Sequence, residues 1–299
     1  MVSIRPTGLP IASPVFYHSR RSKSRNHQFG LVHWRASKEL HSFWENKFRA
    51  YENEDGLVRV HEARTTIYKE DYNVAGLQNN NSQFISFDAT PQYLFESMHS
   101  PKRILCTAPW VKMVMILRNP ITRAYSNYAY HKRQQKLNIE FEPYIEEDFR
   151  LLKEAGLILD DPDQQNDLMG TPEEREAWNR YHKIKRKSNI REGAIARGMY
   201  IIPISHFVQE FQQAMGRDYF KRQFYFLRTE DMEANVHEEY RKVLDFLGLP
   251  YHRLNNTQVK VKSNYAHPMK PETWARLETF YEPYNQRLYE LLGEGFPKW

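Results

Sequence analysis

A near-continuous apolar run, Val111 to Leu117, stops abruptly at Arg118-Asn119-Pro120, and this junction limits the possible folds more than any other stretch. An apolar run without polar alternation suits a strand covered on both faces, as in a parallel sheet. Proline fixes φ and lacks an N–H, so Pro120 suits the first turn of a helix and not the continuation of a strand. The pattern predicts a helix from Pro120 to about Gln134, with Ser126 in its second turn. Ligands of open α/β sheets sit beyond the carboxyl ends of strands, where a helix start offers N–H groups and a positive dipole end to an anion. Arg118, at the strand end, can grip a phosphate bidentately, and Ser126 can add a hydroxyl donor. A salt-bridged arginine and a solvent-facing helix serine are the alternative that residue types alone leave open.

The rest of the chain repeats this alternation. Phe84 to Asp88 reads as a short strand, and Thr90-Pro91 as the cap and first turn of a helix through Tyr93, Leu94 and Met98. Leu157 to Gly170, rich in Asp, Pro and Gly, reads as a surface loop. Thr171-Pro172-Glu173-Glu174 has the form of a capping box opening a helix through Trp178 and Tyr181. Further helices are expected over Ser205 to Met215, over Met232 to Leu247 with Gly248 as its stop, and over Glu272 to Leu292 with a bend at Pro283. A strand of alternating aromatics is expected from Gln223 to Leu227. Strands alternating with helices predict an α/β fold: an open, mostly parallel sheet flanked by helices.

Composition narrows the partners. With 40% apolar and 14% aromatic residues in 299, the chain has enough core material to exclude global disorder. The net charge of +6 favours an anionic ligand without choosing among nucleotide, sulfated glycan and nucleic acid. Cys106 is the only cysteine, which excludes an internal disulfide or a multi-cysteine zinc site and reads as a buried thiol beside a strand. No stretch approaches the roughly 20 apolar residues of a membrane span. Residues 1–30 read as an irregular basic segment and 31–299 as the folded domain. No recognition motif or dense aromatic–basic face supports nucleic-acid binding.

Arg118-Asn119-Pro120-x-x-Arg123-x-x-Ser126-x-Tyr128 resembles the 3′-phosphate-binding motif of sulfotransferases that use 3′-phosphoadenosine 5′-phosphosulfate. Other segments follow in the family's order. Lys38-Glu39-Leu40-His41-Ser42-Phe43 resembles a Lys-Glu-x-His-Phe-Phe segment of the carbohydrate (glycosaminoglycan-type) sulfotransferases, and Asp88-Ala89-Thr90-Pro91-Gln92-Tyr93 resembles their Glu/Asp-x-Thr-Pro-x-Tyr segment. Arg197-Gly198-Met199-Tyr200 is similar to their Arg-Gly-x-Tyr segment near the adenine. Phe226-Leu227-Arg228-Thr229-Glu230-Asp231-Met232 and Phe280 to Leu288 are similar to their later strand-to-helix element and closing helix.

The resemblance implies a P-loop-type sulfotransferase fold over about Leu31 to Trp299. It implies 3′-phosphoadenosine 5′-phosphosulfate as co-substrate, no metal, and a carbohydrate acceptor such as an anionic polysaccharide. It assigns Glu39 as the base that takes the acceptor's proton during in-line attack on sulfur, with His41 assisting. Arg118 and Ser126 would take the 3′-phosphate. Arg197 and Gly198 would let the backbone pass close to the nucleotide and supply a cation, with Tyr200 near the adenine or in the core, and Lys262 in a basic loop over the 3′-phosphate. A Golgi location is implied by the family, although this chain shows no anchor or signal segment. One departure stands out. The family opens with a strand and a Lys-x-Gly-Thr-Thr type loop whose amides cradle the 5′-phosphosulfate. Phe16 to Lys23 has no glycine and no evident strand before it. The expectation is a truncated or mis-spliced form of an active enzyme, or a genuine variant that binds the nucleotide poorly, with very low activity in either case. The rival reading is a fold relative that binds nucleotide or anionic glycan without catalysis.

Overall fold

The structure is a computed structural model, and it describes residues 13–19, 85–135, 138–188, 193–217, 219–255, 257 and 268–299. In chain order its elements begin β1 (Ser13–Ser19), β2 (Ile85–Asp88), α1 (Gln92–Phe95), α2 (Ser100–Thr107), β3 (Lys112–Leu117) and α3 (Pro120–Gln135). Then come α4 (Phe141–Glu154), α5 (Pro162–Leu168), α6 (Pro172–Lys187), a 3₁₀ turn (Ala196–Gly198) and α7 (Ile201–Met215). The chain closes with α8 (Tyr219–Gln223), β4 (Phe224–Arg228), α9 (Thr229–Ala234), α10 (Val236–Leu247) and α11 (Pro271–Leu292). Two compact units result: one built mainly from Ser13–Leu117 and His206–Thr257, the other from Arg118–Ser205 and Gln258–Trp299.

The first unit carries the sheet, in the order β2-β1-β3-β4. β3 and β4 pair in parallel from Met113↔Phe224 to Leu117↔Arg228. Met113, Met115 and Leu117, which share one face of β3, are wholly buried, while on the other face Val114 is buried and Lys112 and Ile116 are half-buried. Each such side chain contributes about 1.5–3 kcal/mol of transfer free energy. Phe224 of β4 meets Phe211 edge-on at 5.1 Å, and Gln223 Nε2 donates to the Val111 carbonyl at 2.9 Å. The strand β1 is an addition to the sequence reading, which expected irregular chain there. Val15, Phe16 and Tyr17 are strong strand formers, but a proline and a basic run flank them and hide the pattern. β1 runs antiparallel to β2 and to β3, with Ser13 beside Ile116 and Tyr17 beside Lys112. The chain therefore leaves β1 at the edge opposite to Leu117.

Local differences from the sequence reading have local causes. Asp161 caps α5 by accepting from the Asp163 and Gln164 amides at 2.9 and 3.2 Å, so a short helix stands where a loop was expected. Asn235 interrupts the expected Met232–Leu247 helix and caps α10, accepting from Glu238 N at 3.3 Å. Cys106 is half-buried in the last turn of α2, a helix and not a strand margin.

The second unit is helical. α4, which the sequence reading missed, buries Phe141, Ile145, Leu151 and Leu152. α6 opens as its capping residues predict, with Thr171 Oγ1 accepting from Glu174 N at 3.2 Å. The Glu174 carboxylate accepts from Gly170 N at 2.9 Å and pairs with Arg287 of α11 at 2.7 Å. Among the described residues, no helix is long and apolar enough to cross a membrane, and no group of acidic, histidine or cysteine residues could hold a metal ion.

Candidate functional site

The turn from β3 into α3 is built by its own side chains. Asn119 Oδ1 accepts from the Ile121 and Thr122 amides at 2.9 and 3.2 Å, and its carbonyl accepts from Arg123 N at 2.9 Å. Two of the helix-start N–H groups expected to face an anion are thus already satisfied within the chain. The guanidinium remains. Arg118 is half-buried, and its Nε donates to Thr122 Oγ1 at 3.2 Å. That hydroxyl in turn donates to the Asn119 carbonyl at 3.1 Å. Among the described residues, no carboxylate lies within ion-pairing distance of Arg118. Thr122 thus steers the guanidinium without neutralising it, a role the sequence reading missed. Ser126 lies four residues beyond Thr122 on the same helix face and is 1% exposed. Its hydroxyl sits below the surface.

The neighbouring strand provides an internal control. β4 ends on an arginine, the register partner of Leu117, and turns at once into a helix. There, Arg228 Nε and Nη2 donate to the two Asp231 oxygens at 2.8 and 2.5 Å. The guanidinium holds the Asp231 carboxyl below the usual aspartate range. One strand-end cation is neutralised by its own chain. The other is only oriented.

The 3₁₀ turn is anchored to the same unit. Tyr200 is buried, its hydroxyl donates to the Arg118 carbonyl at 2.9 Å, and its ring lies 5.9 Å from that of Trp299. Arg197 is half-buried in the turn. Gly198 is buried, and a Cβ there would lie 2.7 Å from Tyr281 Oη. The close approach this glycine permits is to the Tyr281 ring. Burial pushes the Asp148 carboxyl above its usual range although Tyr181 and two backbone amides donate to it, and it pushes the Tyr181 hydroxyl up in the same way.

The sequence profile of the sulfotransferase domain family matches residues 48–279. The chain belongs to the sulfotransferase domain family. Among characterised relatives it is 24% identical over 235 residues to the human heparan sulfate glucosamine 3-O-sulfotransferase 6, covering 71% of this chain and 56% of that protein. It is 24% identical over 224 residues to human carbohydrate sulfotransferase 15, covering 72% of this chain and 35% of that protein. It therefore spans about half the length of one relative and about a third of the other. A solved sulfotransferase from Alicyclobacillus acidocaldarius aligns with 85% of this chain and 83% of its own, at 19% identity and a TM-score of 0.46.

Of the residues that the sulfotransferase motifs single out, Arg118, Ser126, Arg197, Gly198 and Tyr200 all fall in the second unit. Arg118 and Tyr200 are joined by a hydrogen bond. Glu39, His41 and Lys262 lie outside the described residues.

Proposed function

We propose that this sulfotransferase-domain chain binds 3′-phosphoadenosine 5′-phosphosulfate and transfers its sulfuryl group to a hydroxyl or amine of a carbohydrate acceptor. The observation that carries the reading is Arg118 at the end of β3, oriented by Thr122 and paired with no carboxylate among the described residues, whereas Arg228 at the end of β4 is neutralised by Asp231. In this reading Arg118 takes the 3′-phosphate, with Ser126 on the same helix face, and Arg197 adds a second cation. Ser126 has to become accessible for its hydroxyl to reach a phosphate. Lys262 is proposed for the same phosphate and Glu39 as the base, with His41 orienting the acceptor. The acceptor oxygen or nitrogen attacks sulfur, the bond to the 5′-phosphate oxygen breaks, and Glu39 takes the acceptor's proton. An anionic polysaccharide is the proposed acceptor class, in keeping with the names of the relatives and the +6 charge. A Golgi compartment suits that substrate.

A second reading is supported by the direction of β1. Because it runs antiparallel to β3, the chain leaves it at the edge away from Leu117, where a strand carrying a phosphosulfate loop would not end. A fold relative that holds the nucleotide with little catalysis fits this arrangement. Calorimetric titration with 3′-phosphoadenosine 5′-phosphate tests the nucleotide site. Radiolabelled sulfate transfer to heparan sulfate and chondroitin sulfate, with Glu39→Gln as control, separates enzyme from binder. Binding lost in Arg118→Ala supports the site. Robust transfer abolished by Glu39→Gln supports the enzyme, and binding without transfer supports the second reading. Wild-type protein with neither binding nor transfer sinks both.

A further inference from the structure

The short turn that presents Arg197 cannot hold its own shape, since a three-residue 3₁₀ segment closes few hydrogen bonds. Within the turn, Arg197 N donates to the Gly193 carbonyl at 3.2 Å and Gly198 N to the Ile195 carbonyl at 2.9 Å. Met199 N closes the turn on the Ala196 carbonyl at 3.1 Å, and further hydrogen bonds reach it from distant parts of the unit. Asp148 of α4 is 1% exposed, and its Oδ2 accepts from Ile195 N at 2.6 Å and Ala196 N at 3.0 Å. Its Oδ1 accepts from the Tyr181 hydroxyl of α6 at 2.6 Å. Arg123 of α3, wholly buried, donates through Nη2 to the Ala194 carbonyl. The Tyr281 hydroxyl of α11 donates to the Ile195 carbonyl at 2.9 Å, and its ring closes over Gly198.

We propose that Asp148 is a positioning residue for the nucleotide site. By fixing two successive amides of the Ile195–Ala196 stretch, it sets the turn, and through the turn the direction of Arg197. The inference rests on the phosphate reading of Arg118 and Arg197. Its physical ground is the cost of the arrangement. A wholly buried carboxylate is expensive even with the Lys185 charge near enough to favour it, and packing alone would be served by an apolar side chain. The two backbone donors explain what the carboxylate supplies, because a turn amide left without an acceptor in this interior would let the turn shift. Asparagine is the informative substitution. Its oxygen can accept from one side of the cluster, but its NH₂ then faces donors on the other.

The test uses the full chain and 3′-phosphoadenosine 5′-phosphate as probe, with dissociation constants from calorimetry. Asp148→Asn is expected to weaken binding by about tenfold, equivalent to about 1.4 kcal/mol. In an Arg197→Ala background the same substitution should change binding by no more than about twofold, because the residue through which it acts is gone. Glu174→Gln is the stability control. It breaks the α6–α11 ion pair, so the melting temperature should fall while binding is unchanged. Unchanged binding in Asp148→Asn, full additivity with Arg197→Ala, or an equal loss in Glu174→Gln would each overturn the proposal. Should Asp148→Asn fail to fold, Tyr181→Phe removes only the hydroxyl that steadies the carboxylate and is judged by the same criteria. If Arg118→Ala binds as the wild type does, the phosphate reading itself falls. If Arg118→Ala loses binding while Asp148→Asn keeps it, only the positioning role falls.

Discussion

Arg118 and Arg228 look alike in the sequence. Arg228 is the last residue of β4 and Arg118 the first beyond β3, each precedes a helix, and each lies in a segment similar to a sulfotransferase motif. The structure separates them by what stands three to five residues on. Arg228 finds Asp231 at i+3 and closes a two-point ion pair. Arg118 finds Arg123 at i+5 and only a hydroxyl, Thr122, at i+4. The same local architecture thus yields a structural cation in one place and a ligand-ready cation in the other. Charge balance within the first helical turn decides which, more than the strand end itself.

The largest expected effect breaks this comparison directly. Arg118→Ala should weaken 3′-phosphoadenosine 5′-phosphate binding by about a hundredfold, since it removes charge-assisted donors on the order of 3 kcal/mol from the phosphate. Arg228→Ala should leave binding within about twofold. Titration calorimetry on the two variants checks both. Equal losses would mean that the ion pair with Asp231 does not set Arg228 apart.

Gly198→Ala comes next and acts on stability. The added methyl would sit 2.7 to 2.8 Å from the Tyr281 ring and hydroxyl, and that ring is itself wholly buried. Overpacking of this kind costs about 1–3 kcal/mol, visible as a lower urea midpoint. If the midpoint does not move, the Tyr281 contact is not what requires a glycine here. Tyr200→Phe is milder. It leaves the Arg118 carbonyl without its donor, at a cost of about 1 kcal/mol. Because that carbonyl belongs to the proposed phosphate-binding residue, a small loss of nucleotide affinity should accompany the lower midpoint.

Much of this was legible in the sequence for physical reasons that can be named. The apolar run before Arg118 and the proline after it leave little but a buried strand and a helix start, and β3 and α3 appear there. Thr171-Pro172-Glu173-Glu174 encodes its cap within four residues, so α6 was legible as well. What escaped depends on contacts distant in sequence or on competition inside a turn. Asn119 could be read as a breaker, but its capture of two helix amides is visible only in three dimensions. Asp148 could not be singled out, because its partners Ile195 and Ala196 lie 47 and 48 residues away. That Gly198 lies against Tyr281, far along the chain, has no local signature. β1 escaped because three strand formers are too few to outweigh flanking proline and basic residues.

The smallest prediction returns to the neutralised member of the pair and concerns pH. Hydrogen bonds from Arg228 lower the Asp231 carboxyl from its usual 3.8, and partial burial opposes them less strongly. A carboxyl with a lower pKa in the folded state than in the unfolded state stabilises the fold fully above 3.8 and loses that contribution as pH falls through the depressed value. Both side chains are largely but not wholly covered, so the contribution is about half a kcal/mol. In wild-type protein and Arg228→Ala, the difference in urea midpoint should hold steady at neutral pH and shrink as the pH is taken below 3.8. Arg118→Ala should show no such acid-dependent difference, since Arg118 has no carboxylate partner among the described residues. An acid limb in that variant would reveal a paired carboxylate and erase the distinction between the two strand ends.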